Sequence, residues 1–181
     1  TEVGKILIRQ CASTVKKVSM ELGGNAPFIV FDDAHVDAAV QGAIISKYRN
    51  AGQTCVCANR VYVQEGVYEE FIGKFTEAVQ QLKVGRGEES GVNIGPMISS
   101  NAIEKVEELL EDATAKGASV IEGGERHELG GLFYRPTVVG GVTADMAFAT
   151  EEIFGPVAPV FKFATEEEVI ELSNATEFGL A

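Results

Sequence analysis

Residues 34–50 carry apolar side chains at Val36, Ala39, Val40, Ala43, Ile44 and Tyr48, and spacings of three and four put them on one helical stripe. The same period recurs over residues 67–83, through Phe71, Phe75, Ala78, Val79 and Leu82. It appears again over residues 99–116, where Ile103, Val106, Leu109, Leu110 and Ala113 face away from a row of glutamates and Gly117 stops the helix. Residues 4–11 predict a shorter helix. Between these stretches, the short apolar run at 27–31, the alternating residues 61–64 and the segments 119–121, 134–139 and 157–163 read as strands, and a sixth at 18–21 is ended by Gly23-Gly24. Asp32-Asp33 is placed to cap the second helix, and Thr165 with Glu168 has the capping-box spacing for a last one. Residues 85–95 read as loop and Gly123-Gly124 as a turn. Strands alternating with helices predict an α/β class with a largely parallel open sheet and flanking helices. No internal repeat, low-complexity tract or linker divides the chain, so residues 1–181 form one domain, and both ends read as cut.

Composition narrows the picture. Hydrophobic residues make up 45% and charged ones 23%, and the formal net charge is −12, with the acidic residues spread along the predicted helices. That balance disfavours a nucleic-acid surface, which needs clustered Lys and Arg. No apolar run reaches the ~20 residues of a membrane helix, and no secretory signal opens the chain. Three cysteines, Cys11, Cys55 and Cys57, make no disulfide framework, which fits a reducing cytoplasmic setting, and Cys-Val-Cys is no zinc site. His35, at a helix start, and His127, in a Gly-flanked loop, read as surface residues, and Cys11 reads as core filler.

The chemistry concentrates at two places. Cys55 follows Gly52-Gln53-Thr54, just beyond the helix of residues 34–50, and Glu21 precedes Gly23-Gly24-Asn25. A thiol nucleophile and a carboxylate base, each beside flexible residues, suit covalent catalysis on a carbonyl. The plainer readings are an inert buried thiol and a surface glutamate.

Three segments carry a resemblance: Glu21-Leu22-Gly23-Gly24-Asn25, Gly52-Gln53-Thr54-Cys55 and Glu151-Glu152-Ile153-Phe154-Gly155-Pro156. In this order, with 34 residues from Glu21 to Cys55, they resemble the signatures of the aldehyde dehydrogenase superfamily. Thr1-Glu2-Val3-Gly4-Lys5 resembles the tail of a fourth, cofactor-proximal motif. Lys47-Tyr48-Arg49-Asn50 and Cys55-Val56-Cys57 resemble the succinate-semialdehyde dehydrogenases within that superfamily. The resemblance implies the catalytic domain of such an enzyme, with the NAD or NADP domain, the oxyanion asparagine and the oligomerisation arm outside the chain. It also implies that the chain alone lacks turnover and that the intact enzyme is a homo-oligomer.

By the same resemblance, Cys55 adds to the aldehyde to form a thiohemiacetal, and hydride transfer to NAD or NADP leaves a thioester. Glu21 activates the water that cleaves it. Glu152 contacts the nicotinamide ribose and Phe154 the nicotinamide, with Val3 and Leu22 lining the same cleft; the plainer reading of Phe154 is a core aromatic. Arg49 is the candidate grip for a substrate carboxylate, since a guanidinium holds that group with two parallel hydrogen bonds; a helix-terminal arginine is the plainer reading. Cys57 is the candidate redox partner of Cys55, or else a small buried hydrophobe. Three other readings stay open: a dehydrogenase for glutarate semialdehyde, a non-catalytic module, and a thiol-redox protein using Cys55 and Cys57.

Overall fold

The computed structural model describes residues 1–180. Five strands, β1 (Ala26–Val30), β2 (Ala58–Gln64), β3 (Ser119–Glu122), β4 (Thr137–Val142) and β5 (Val157–Phe163), form one sheet in the order β1-β2-β5-β4-β3. The pairs β1–β2, β2–β5 and β4–β5 are parallel, and only the edge strand β3 runs antiparallel, against β4. Five helices accompany them: α1 (Glu2–Ala12), α2 (Val36–Tyr48), α3 (Tyr68–Gln80), α4 (Ser100–Ala115) and α5 (Glu166–Asn174). The α/β class and the largely parallel sheet match the expectation from the sequence.

Side chains alternate along the buried strands and split the core in two. Val61, Val63, Val138, Ala158 and Val160 pack with Val40, Ala43 and Tyr48 of α2 and Phe71 and Phe75 of α3. Tyr62, Val139, Val157, Phe161 and Phe163 pack on the opposite side with Ile103, Val106 and Leu110 of α4 and Val169 of α5. A strand buried on both faces reads as a continuous apolar run, as 157–161 does before exposed Lys162.

Several local expectations need correction. Residues 18–21 form no strand; they run without sheet partners into β1. The second helix is capped by His35, whose Nδ1 accepts from the Ala38 N–H at 3.3 Å, and not by Asp32 or Asp33. The run at 134–139 shifts to Thr137–Val142 because Arg135 and Pro136 belong to the preceding loop. Cys11 is half-buried on α1, a helix whose only buried residue is Gly4, so it fills no core. The capping-box spacing at Thr165 holds: its hydroxyl accepts from the Glu168 N–H at 3.3 Å, and Glu168 accepts from the Ala164 N–H at 2.7 Å. No described helix is long and apolar enough to cross a membrane.

Candidate active site

Each of the three signature segments ends where a parallel strand begins. Residues 21–25 lead into β1, residues 52–57 into β2 and residues 151–156 into β5. Because β1, β2 and β5 are neighbours running the same way, their starts lie side by side. Residues scattered over more than a hundred positions therefore meet at one edge of the sheet. This is the amino end of the strands, opposite to the carboxyl-end crevice where open α/β sheets ordinarily bind ligands.

The segments interlock through glycines. A Cβ on Gly24 would strike the carbonyl oxygen of Cys55, and one on Gly52 would strike that of Gly155. Glu152 Oε1 accepts from the Gly24 N–H at 3.1 Å. So the Glu21 segment, the cysteine turn and the Glu152 segment touch backbone to backbone, with no room for a side chain at the contacts.

The cysteine turn is strained and pinned. Asn50, Ala51 and Gly52 take positive φ values of 54, 56 and 71° in succession, a left-handed run in which the non-glycine residues are strained. Gln53 ties the turn down: its amide donates to the Pro96 carbonyl at 3.2 Å and its Oε1 accepts from the Ile98 N–H at 2.8 Å. Asn50 Nδ2 donates to the Gln53 carbonyl at 3.0 Å. Cys55 sits half-buried at the end of this turn, and its backbone N–H donates to no described residue. That leaves a thiol and a free N–H together, as stabilisation of an oxyanion on a carbon attacked by the thiol requires.

Beneath the turn lies a buried polar lattice. Asn59 Nδ2 donates to Asn25 Oδ1 at 2.6 Å and to the Glu151 carbonyl at 2.9 Å, while Asn59 Oδ1 accepts from the Ile153 N–H at 3.0 Å. Asn25 Nδ2 donates to the Ala149 carbonyl at 3.1 Å. Arg60, 1% exposed, donates from Nε and Nη2 to the Asn25 carbonyl at 3.0 and 2.7 Å, and to the Leu172 and Ser173 carbonyls at 3.0 and 2.9 Å. Asn25, Asn59 and Arg60 are buried, and each is hydrogen-bonded, so the strand starts are held with their buried polar side chains partnered.

Of the residues singled out from the sequence, Cys55 meets the Glu152 segment through Gly24. Glu21 is exposed and takes part in no hydrogen bond or ion pair among the described residues. Leu22 packs on Gly4 of α1, next to Val3, which is 65% exposed. Phe154 is no core aromatic: it is 38% exposed with φ 51°. Glu152 Oε2 takes no hydrogen bond from a described residue, so a carboxylate oxygen without a fixed donor and an exposed ring lie two positions apart, on either side of buried Ile153. Such a pair has the chemistry to accept from hydroxyl donors and to pack a flat ring. Arg49 caps α2 with an exposed guanidinium free of ion pairs among the described residues. It lines a shallow groove with Ile44, Ile45, Asn93 and Ile94, and that groove does not include Cys55.

Sequence reasoning gave no role to Asn25, Asn59, Arg60 or Lys47. Lys47 was legible as an oddity, because positions 40, 43 and 47 share the buried stripe of α2. It is fully buried, and its Nζ lies 3.9 Å from Cys57 Sγ, which in turn donates to the Gly52 carbonyl at 3.4 Å. Burial pulls the Lys47 pKa below its ordinary value, against the opposing pull of Cys57 and Glu152. Tyr48 beside it is also buried, which pushes its pKa well above the ordinary value, and its hydroxyl donates to the Thr137 carbonyl at 2.7 Å.

With fold and site in place, the chain belongs to the aldehyde dehydrogenase family, whose model matches residues 1–181. It is 65% identical over its whole length to a 3-sulfolactaldehyde dehydrogenase of Pseudomonas putida, covering 37% of that protein, and 59% identical to a glutarate-semialdehyde dehydrogenase of Pseudomonas aeruginosa, covering 38%. A crystal structure of succinate-semialdehyde dehydrogenase from Burkholderia pseudomallei superposes with a TM-score of 0.97 at 61% identity, over 98% of this chain and 37% of that one. The chain thus spans less than two fifths of the length of these relatives.

Proposed function

We propose that the full-length protein oxidises a small aldehyde bearing an anionic group at its far end, with succinate semialdehyde as the first candidate, to the corresponding acid. The observation that carries this reading is the meeting of Cys55, the Glu21 segment and Glu152 at the starts of three adjacent parallel strands. The names of the three relatives point the same way, since sulfolactaldehyde, glutarate semialdehyde and succinate semialdehyde all combine an aldehyde with an anionic group.

In this reading Cys55 Sγ adds to the aldehyde carbon, and the developing oxyanion takes a hydrogen bond from the Cys55 N–H, which donates to no described residue. A bound NAD or NADP would accept the hydride. Glu152 and Phe154, with Val3 and Leu22, would hold that nucleotide at the sheet edge. The thioester left on Cys55 is cleaved by water, from which Glu21 takes a proton; an exposed carboxylate without fixed partners can swing toward that water.

Arg49 is assigned the specificity role on its place six residues before the nucleophile and its exposed guanidinium, which pairs with no described carboxylate, although the groove it lines does not include Cys55. The test is a substrate panel on the full-length protein, pairing succinate and glutarate semialdehydes and sulfolactaldehyde with uncharged aldehydes of similar length, each with NAD and NADP. Arg49→Ala should raise KM for the anionic aldehydes by roughly 10-fold or more, the scale of one lost charge-assisted hydrogen bond, and leave the uncharged ones nearly unchanged. Equal losses on both classes would remove Arg49 from the substrate site. Equal kcat/KM for charged and uncharged aldehydes in the unaltered protein would contradict the substrate class.

A further inference from the structure

Lys47 stands where a lysine is costly. Its ammonium can donate three hydrogen bonds, its side chain is fully buried, and its only acceptor among the described residues is Cys57 Sγ at 3.9 Å. It forms no ion pair with a described carboxylate; Glu152 acts on it only through space. Cys57 is 4% exposed, and its sulfur points inward, onto the lysine and the Gly52 carbonyl. Burial disfavours the ammonium, so more of this amine is unprotonated and nucleophilic than on an exposed lysine. The candidate mechanism uses neither group.

We propose that Lys47 and Cys57 are a redox modification site, in which oxidised Cys57 is captured by the Lys47 amine as a reversible sulfur–nitrogen link. A peroxide supplies the oxidant. Cys57–SH and H2O2 give Cys57–SOH and water. The unprotonated Lys47 amine then attacks the sulfenic sulfur; the S–N bond forms as the S–O bond breaks, and one amine hydrogen leaves with the hydroxyl as a second water. Two equivalents of an external thiol reverse the link: sulfur is reduced to Cys57–SH, the amine is released, and the thiols leave as their disulfide. The amine is the group that the Cys57 sulfur already touches, whereas Cys55 sits in the half-buried turn. The link would join the last turn of α2 to the residue before β2 and lock the strained turn between them, without using the Cys55 sulfur.

Peptide mapping of the full-length protein tests this without any activity readout, so failure here and failure of the substrate assignment are distinguishable. The protein is treated with hydrogen peroxide, alkylated under denaturing conditions, digested with trypsin and weighed. The prediction is that cleavage after Lys47 is lost. Residues 18–49 then appear joined to residues 50–60 at a mass lower than the sum by two hydrogens, with Cys55 alkylated, and dithiothreitol restores both peptides. Cys57→Ser should abolish the joined species. Normal cleavage after Lys47, with residues 50–60 carrying either a Cys55–Cys57 disulfide or a Cys57 sulfinic acid, would overturn the proposal.

Discussion

The two sides of the candidate site are built by different means. On the nucleophile side, Cys55 rests on a turn with three successive positive φ values, pinned by Gln53 and underlain by Asn25, Asn59 and Arg60. On the other side, α1 buries only Gly4 and leaves Val3, Ile6, Leu7 and Ile8 between 44 and 65% exposed, and Glu21 has no fixed partner among the described residues. The contrast teaches how reactivity and adaptability are divided. A nucleophile must be held within a fraction of an ångström, which takes a fully satisfied polar lattice. A base that acts on a transient water needs room to move.

Substitutions can break that contrast or sharpen it. The largest effect belongs to the exposed side: Glu21→Gln should lower kcat in the full-length protein by roughly 10²–10⁴-fold, the usual weight of a general base, with little change in the unfolding midpoint. A large stability loss would instead make Glu21 structural. Arg60→Met addresses the rigid side. It strips hydrogen bonds from the buried carbonyl of Asn25 and the part-buried ones of Leu172 and Ser173, and should cost about 3 kcal/mol in urea unfolding. Gly24→Ala should cost about 1–3 kcal/mol and depress kcat as well, because its Cβ can be accommodated only by moving the Cys55 backbone.

The smallest effect is expected at Lys47. Replacing a buried, poorly partnered cation by methionine should raise stability by about 1 kcal/mol or more at neutral pH. The sign with pH follows from the lowered pKa. Below it, the folded protein bears the full penalty of a buried ammonium. As pH rises from the lowered value toward the ordinary 10.5, the folded amine is neutral while the unfolded one still binds a proton, so the unaltered protein gains stability. The advantage of Lys47→Met should therefore shrink across that window; an advantage that grows there would mean that the folded state favours the charged amine.

Much of this was legible in the sequence, and the remainder has physical reasons for hiding. Helical stripes and the run at 157–163 gave the elements, because burial writes its period into the chain. The segments carrying Cys55, Glu21 and Glu152 stood out by resemblance, but their meeting depends on strand order, which no local pattern encodes. Residues 18–21 looked like a strand because their apolar content imitates one, yet no neighbouring strand pairs with them. Asn59 and Arg60 went unassigned because polar residues opening a strand ordinarily face water; here they are buried and bonded to carbonyls distant in sequence, in the loop before β5 and the last turn of α5. His35 displaced the aspartates as helix cap because its ring nitrogen, nearer the first turn, reaches the Ala38 N–H.

The central claim is that Cys55 carries the substrate as a thioester that Glu21 helps to cleave. The most direct measurement is the mass of the tryptic peptide of residues 50–60 from full-length Glu21→Gln protein quenched in acid during turnover of succinate semialdehyde with NAD or NADP. The account predicts a succinyl adduct on Cys55 that accumulates in the variant and is far scarcer in the unaltered protein. A variant that turns over at the parent rate, or an adduct on Cys57 with Cys55 unmodified, would contradict it.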